Sequence, residues 1–127
     1  MSSDPRANTV DAVVHRSAAR FPDRVALRFA DRSLTYRELD AAVSRTAARL
    51  LSLGLTAGDR VAGYGTNSDA YVLGYLGAAR AGLVHVPINY ALRGEELSYL
   101  LAQSGARAVL VDPALRGELD RVLPDVP

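Results

Sequence analysis

Gly63-Tyr-Gly65-Thr-Asn-Ser68 is the stretch of this 127-residue sequence whose residue types and spacing come nearest to ligand chemistry. A G-x-G-x-x-S run between a strand and a helix can aim backbone amides at a phosphate, with the helix dipole adding to the attraction. A dinucleotide site also needs an acidic residue about 20 positions on, at the end of the next strand, to take the ribose hydroxyls. That strand ends here in Val86-Pro-Ile-Asn89, without Asp or Glu. The same run therefore also reads as a tight turn with an Asn or Ser helix cap. His15 and His85, the two histidines, have no nearby Ser nucleophile and no second His at i+4, so neither forms a triad or a metal pair in the sequence. Asp69, Glu95 and Glu96 fall in first turns of predicted helices, where carboxylates complement the dipole. Tyr64, Tyr71, Tyr75, Tyr90 and Tyr99 lack the interleaved basic groove of a single-strand nucleic-acid surface and are expected to pack in the core or its rim.

Absent residue types constrain the chemistry further. All 15 basic residues are Arg, so the chain offers no amine nucleophile, no Schiff base and no phosphate-gripping lysine. The lack of cysteine removes disulfides, thiolate nucleophiles and Cys-zinc sites together. A net charge of +1 gives no bulk pull toward nucleic acid or an anionic membrane. No window reaches the roughly 18 apolar residues of a membrane span, and the N-terminus has no apolar stretch behind its charges, so a soluble, cytoplasmic protein is expected.

The elements that must position these residues follow from caps, stops and hydrophobic period. Val10, Val13, Val14, Ala18 and Phe21 recur at helical spacing from a cap at Asn8 or Thr9 until Pro22. Val25–Phe29 and Ser33–Thr35 read as a small hairpin about an Asp31-Arg32 turn. Thr35-Tyr-Arg-Glu38 fits a capping box for a helix with the stripe Leu39, Val43, Ala47, Leu50 and Leu51, closed by Gly54. Arg60–Tyr64 reads as a strand, 67–81 as a largely buried helix, and Leu83–Ile88 as a short buried strand. Asn89 to Gly94 is a loop before a helix in which Leu97, Leu100 and Leu101 face inward and Gly105 ends the run. Ala106–Val111 is a further strand, and Asp112-Pro113 caps a last helix to about Leu123. The alternation points to an α/β fold, a mostly parallel sheet flanked by helices on both faces with a small N-terminal hairpin in front.

Several stretches, taken in order, resemble the start of the adenylate-forming (AMP-binding) superfamily, which includes acyl-CoA synthetases, luciferases and the adenylation domains of peptide synthetases. Leu34-Thr-Tyr-Arg-Glu-Leu-Asp40 is similar to its first core stretch. Gly58-Asp-Arg-Val61 with Asn67-Ser68, then Leu76-Gly-Ala-Ala-Arg-Ala-Gly82 running into Val86-Pro-Ile-Asn89, resembles its second. Glu96-Leu97, Leu100-Leu101 and Ser104–Val111 complete the match, which spans nearly the whole chain. Val86-Pro-Ile-Asn89-Tyr-Ala-Leu-Arg93 looks more like the acyl-CoA synthetase branch than the peptide-synthetase branch, where Asp-Pro is usual after the same Val-Pro.

The resemblance implies ATP-driven activation of a carboxylic acid to an acyl-adenylate, then transfer to coenzyme A, with ATP, Mg²⁺ and coenzyme A as cofactors of the full-length enzyme. The family's phosphate loop with its lysine, its ribose-binding Asp and its C-terminal domain have no counterpart here, so no catalytic residue and no metal ligand is assigned. The chain is expected to be an N-terminal fragment, 1–127, of the large AMP-binding domain, with 1–7 disordered and 124–127 a truncated end. In some relatives the loop matching Asn89–Leu92 carries an Arg that meets the cofactor's nucleotide phosphates. Ala91 stands there in this sequence, leaving Arg93, with Asn89, as the candidate coenzyme A contact. Alone, the fragment is expected to be inactive, to hold no cofactor stably, and to form homo-oligomers through apolar surface meant for its missing remainder. Two other readings stay open: an independent binding or interaction module that kept the fold, and a small nucleotide-binding domain using Gly63–Ser68.

Overall fold

The computed structural model describes residues 9–127; the expectation for 1–7 lies outside the described residues. Helix α1 (Val10–Arg20) starts where Thr9 accepts a hydrogen bond from the Ala12 amide at 3.1 Å. Strands β1 (Val25–Phe29) and β2 (Arg32–Thr35) pair antiparallel. Their turn falls at Ala30-Asp31, one residue before the expected place, and Ala30 takes a φ of 56° that glycine adopts more easily.

Helix α2 (Tyr36–Ser52) opens with the expected capping box: Thr35 Oγ1 accepts from the Glu38 amide at 3.2 Å, and Glu38 Oε1 accepts from the Thr35 amide at 2.9 Å. The Thr35 amide, together with the Thr35 hydroxyl, holds the Glu38 carboxyl below its ordinary value. Leu39, Val43, Ala47 and Leu50 are buried, joined by Ala42, and Gly54 follows the helix with a φ of +90°. Leu51 is 46% exposed instead, because successive helix positions turn by about 100° and carry it off the stripe of its neighbour Leu50.

Strands β3 (Arg60–Tyr64), β4 (Val84–Ile88) and β5 (Ala106–Val111) form a three-stranded parallel sheet in the order β4-β3-β5. Helix α3 (Asp69–Arg80) links β3 to β4, α4 (Gly94–Ser104) links β4 to β5, and α5 (Arg116–Val122) follows β5. Alternation along β3 divides the core. Val61 packs with Leu50, Leu55, Ala78 and Leu83, whereas Ala62 and Tyr64 pack with Leu97, Leu101, Leu115, Leu119 and Val122. Thus α2 and α3 cover one face, and α4 and α5 the other. A third cluster, of Val14, Leu39, Val43 and Leu76, seats α1 and the hairpin against α2 and α3.

Three expectations shift. β4 is an edge strand with Val84 48% exposed, and its Pro87, which has no amide to donate, fits only such an edge. Helix α3 is buried along Gly74, Leu76, Gly77 and Ala78 but leaves Tyr75 exposed at its rim. Asp112-Pro113 opens a 3₁₀ turn, Pro113–Leu115, rather than an α-helix, with the Asp112 carboxylate accepting from the Ala114 amide.

The Arg80 guanidinium, its side chain 15% exposed, ties three helices together. Nε donates to Asp11 Oδ1 of α1 at 2.6 Å, Nη2 to Asp40 Oδ1 of α2 at 2.7 Å, and Nη1 to the Asp40 carbonyl and Ser44 Oγ. Burial pushes this group down, and the hydrogen bonds and charges of Asp11 and Asp40 more than reverse that, leaving it above its ordinary value. Among the described residues no helix is long and apolar enough to cross a membrane.

Candidate functional site

The three parallel strands end together, with Tyr64 of β3 in register with Ile88 of β4 and Val111 of β5. Loops 65–68, 89–93 and the 3₁₀ turn after Asp112 therefore leave the sheet at one edge, the carboxyl edge where open α/β sheets place their ligands. β3 leads to a helix on one face and its neighbour β5 to a helix on the other. Chains that diverge in this way leave a crevice between the two strands.

A cleft of about 320 Å³ occupies that position, with Gly63, Gly65, Thr66 and Ser68 on one wall and Leu110, Val111 and Asp112 on the other. Ser68 caps α3 by accepting from the Tyr71 amide at 3.0 Å. His85 forms part of the wall, edge-on to Tyr71 and Tyr75 with ring centroids 5.5 and 5.3 Å apart. Burial lowers the His85 pKa, favouring the neutral ring, and raises that of Tyr71. His15, by contrast, lies far out on α1, 75% exposed and 3.7 Å from Asp40.

Both glycines of the 63–68 run are explained by packing. A Cβ on Gly63 would come within 2.5 Å of His85 Nε2, and one on Gly65 within 3.0 Å of the Asp112 Cβ. The Asp112 carboxylate accepts from Thr66 Oγ1 at 3.2 Å, and Asp69 stands in the first turn of α3, paired with Arg32 at 2.9 Å. Two carboxylates against one guanidinium make this mouth a poor seat for a triphosphate. The described residues also contain no group of three His, Asp or Glu near enough to share a metal ion. Among the described residues, those of this cleft therefore do not fit ATP with Mg²⁺.

Asn89 and Arg93 lie on the neighbouring loop at the end of β4. The Asn89 side chain accepts from the Ala91 amide at 2.9 Å, and the Leu92 amide donates to the Asn89 carbonyl at 3.1 Å, so the loop turns tightly on Asn89. Arg93 Nη1 donates to Tyr64 Oη at 2.9 Å and to the Tyr90 and Leu92 carbonyls. Its Nε lies 3.7 Å from Glu118 Oε2, and the side chain is 44% exposed. Tyr64, wholly buried, donates its hydroxyl to the Leu92 carbonyl at 2.6 Å. The sequence pattern puts Tyr64 in the core or its rim and specifies none of these bonds. Its signal was available in part, since a buried Tyr at a strand end needs a partner for its hydroxyl.

A family profile described as AMP-binding enzyme matches residues 14–126. The human mitochondrial medium-chain acyl-CoA ligase is 39% identical over 106 residues, 82% of this chain and 17% of the ligase. A plipastatin synthase of Bacillus subtilis is 38% identical over 113 residues, 89% of this chain and 4% of the synthase. The structure of a Mycobacterium tuberculosis fatty acyl CoA synthetase superposes with a TM-score of 0.88 at 31% identity, over 98% of this chain and 26% of that one. The chain thus spans a small part of each relative. The doubly covered parallel sheet, the hairpin before it and the match over residues 14–126 agree: the chain belongs to the AMP-binding enzyme family and corresponds to the N-terminal portion of adenylate-forming ligases.

Proposed function

We propose that this region is the N-terminal scaffold of an ATP-dependent acid–thiol ligase, working as part of a longer chain that supplies the catalytic groups. In the first step a carboxylate oxygen of the acid attacks the α-phosphorus of ATP and pyrophosphate leaves. In the second, the coenzyme A sulfur attacks the acyl carbon and AMP leaves. The observation that carries the adenylation half is the ordered family match over residues 14–126. The thiol half is carried by Val86-Pro-Ile-Asn89-Tyr-Ala-Leu-Arg93, since relatives from both branches match at nearly equal identity. Arg93 and Asn89 are the proposed contacts for a coenzyme A phosphate. In support, both are at the carboxyl edge of the sheet, and Arg93 Nη2 makes no hydrogen bond among the described residues. A phosphate drawing on Nε as well would displace Glu118. A fatty or aryl acid is the proposed substrate class and the cytoplasm the proposed compartment.

The test is acid-dependent ATP–pyrophosphate exchange by the longest chain its gene encodes, with fatty, aryl and amino acids. Exchange with a fatty or aryl acid, followed by thioester formation with coenzyme A, is expected. Absence of exchange with every acid overturns the ligase assignment.

The proposal also gives the apolar surface a purpose. Val84 on the β4 edge and Leu123 after α5 are 48% and 43% exposed, and both β4 and β5 present open edges among the described residues. The 127-residue chain by itself is expected to form dimers or larger assemblies through these surfaces. Light scattering at high concentration checks this, and a monodisperse monomer contradicts it.

A further inference from the structure

We infer that Tyr64 is a positioning residue for the coenzyme A loop, fixing Arg93 and the 89–93 backbone from inside the core. This inference rests on the proposed thiol-transfer reading, which puts that loop against the cofactor. Tyr64 is the last residue of β3, the central strand, and has no solvent exposure. Its ring packs in the cluster of Leu97, Leu101, Leu115 and Leu119, so its hydroxyl is held from within the core. That hydroxyl donates to the Leu92 carbonyl at 2.6 Å and accepts from Arg93 Nη1 at 2.9 Å.

The two bonds use the hydroxyl in both capacities and converge on adjacent loop residues. The remaining bonds of Nη1, to the Tyr90 and Leu92 carbonyls, wrap the same guanidinium around the loop. With Nη1 pinned, the guanidinium plane is set, and Nη2 is the edge that makes no hydrogen bond among the described residues. A hydrogen-bonded network of this kind is worth more as a unit than its single bonds, and without the hydroxyl Arg93 Nη1 keeps only the Tyr90 and Leu92 carbonyls of its own loop, losing its tie to the core. Orientation of one planar cation thus depends on a hydroxyl that never reaches solvent.

The variant Tyr64→Phe removes only the hydroxyl and keeps the buried ring. In the longest chain the gene encodes, it is expected to raise KM for coenzyme A about ten-fold, the size of effect one lost hydrogen bond to a charged group carries. KM for ATP and for the acid should stay within about two-fold, because the bond lies outside the adenylation step. Pantetheine, which lacks the nucleotide phosphates, should be used equally well by the variant and the parent. Arg93→Met should give a similar coenzyme A defect, and the double variant should be no worse than the larger single one. A rise in KM for all substrates together, or an unchanged KM for coenzyme A, overturns the inference. If the parent shows no acid-dependent exchange, the ligase reading fails separately. Whether Tyr64 fixes the 89–93 loop is then decided on amide hydrogen exchange in the 127-residue chain. Exchange at Ala91 and Leu92 should quicken about ten-fold in Tyr64→Phe with β3 amides unchanged, and equal rates overturn it.

Discussion

Replacement of Arg80 by alanine is expected to destabilise the 127-residue fold by about 3 kcal/mol, near the low end for breaking a buried ion pair. The side chain is only 15% exposed, and its loss strands Asp11 and Asp40 opposite each other at a junction of three helices. Those carboxylates are 32% and 26% exposed, so water recovers part of the cost, which keeps the expected loss below that of a fully buried pair. Arg80→Lys should recover little. An ammonium cannot span Asp11, the Asp40 carboxylate, the Asp40 carbonyl and Ser44 with one planar fork. Urea unfolding of the three proteins measures this. A loss under about 1 kcal/mol for Arg80→Ala would place the network with ordinary surface pairs and refute its role as the clamp of α1, α2 and α3.

The Arg80 clamp also marks where sequence reading stops. Signals carried by neighbours in the chain were legible: the Thr35/Glu38 capping box, the Gly54 and Gly105 stops, and the bounds of β3 and β5 all appear in the structure near where spacing put them. Arg80 meets Asp11 and Asp40 at separations of 69 and 40 residues, and nothing in the local pattern pairs them. Strand order is equally non-local. Alternation predicted parallel strands but not that β3 is central and β4 an edge, although Pro87 carried that information for β4. The cleft follows from strand order, so it too was out of reach. The Gly63–Ser68 run looked like phosphate chemistry because a close approach of backbone to ligand and a close approach of backbone to a neighbouring side chain select the same residue. His85 and Asp112 occupy the space that the two glycines leave open.

The same competition between reasons for a glycine yields the second large effect, at Gly77. In the interior of a helix, exchanging Gly for Ala ordinarily gains up to about 1 kcal/mol, since alanine loses less backbone entropy. Here α3 lies against α2 so closely that a Cβ at 77 would come within 2.5 Å of Thr46 Cγ2, 2.8 Å of Thr46 Cβ and 3.3 Å of the Ala47 amide nitrogen. Thr46 cannot simply rotate away without breaking the bond its hydroxyl donates to the Ala42 carbonyl at 2.9 Å. Overpacking of this kind costs about 1–3 kcal/mol, more than the propensity gain, so Gly77→Ala should destabilise and Gly77→Leu should do so by about 3 kcal/mol. The sign of the alanine variant is the discriminating result, because propensity alone predicts stabilisation. Thr46→Ala removes the Cγ2 but keeps the Cβ 2.8 Å from the added methyl, so it should relieve part of the penalty, giving a favourable coupling of about 1 kcal/mol in the Gly77→Ala/Thr46→Ala cycle. Thermal and urea unfolding of the four proteins measure it. Stabilisation by Gly77→Ala, or strict additivity with Thr46→Ala, would show that α2 and α3 can part at no cost, and that the glycine is not what sets their distance.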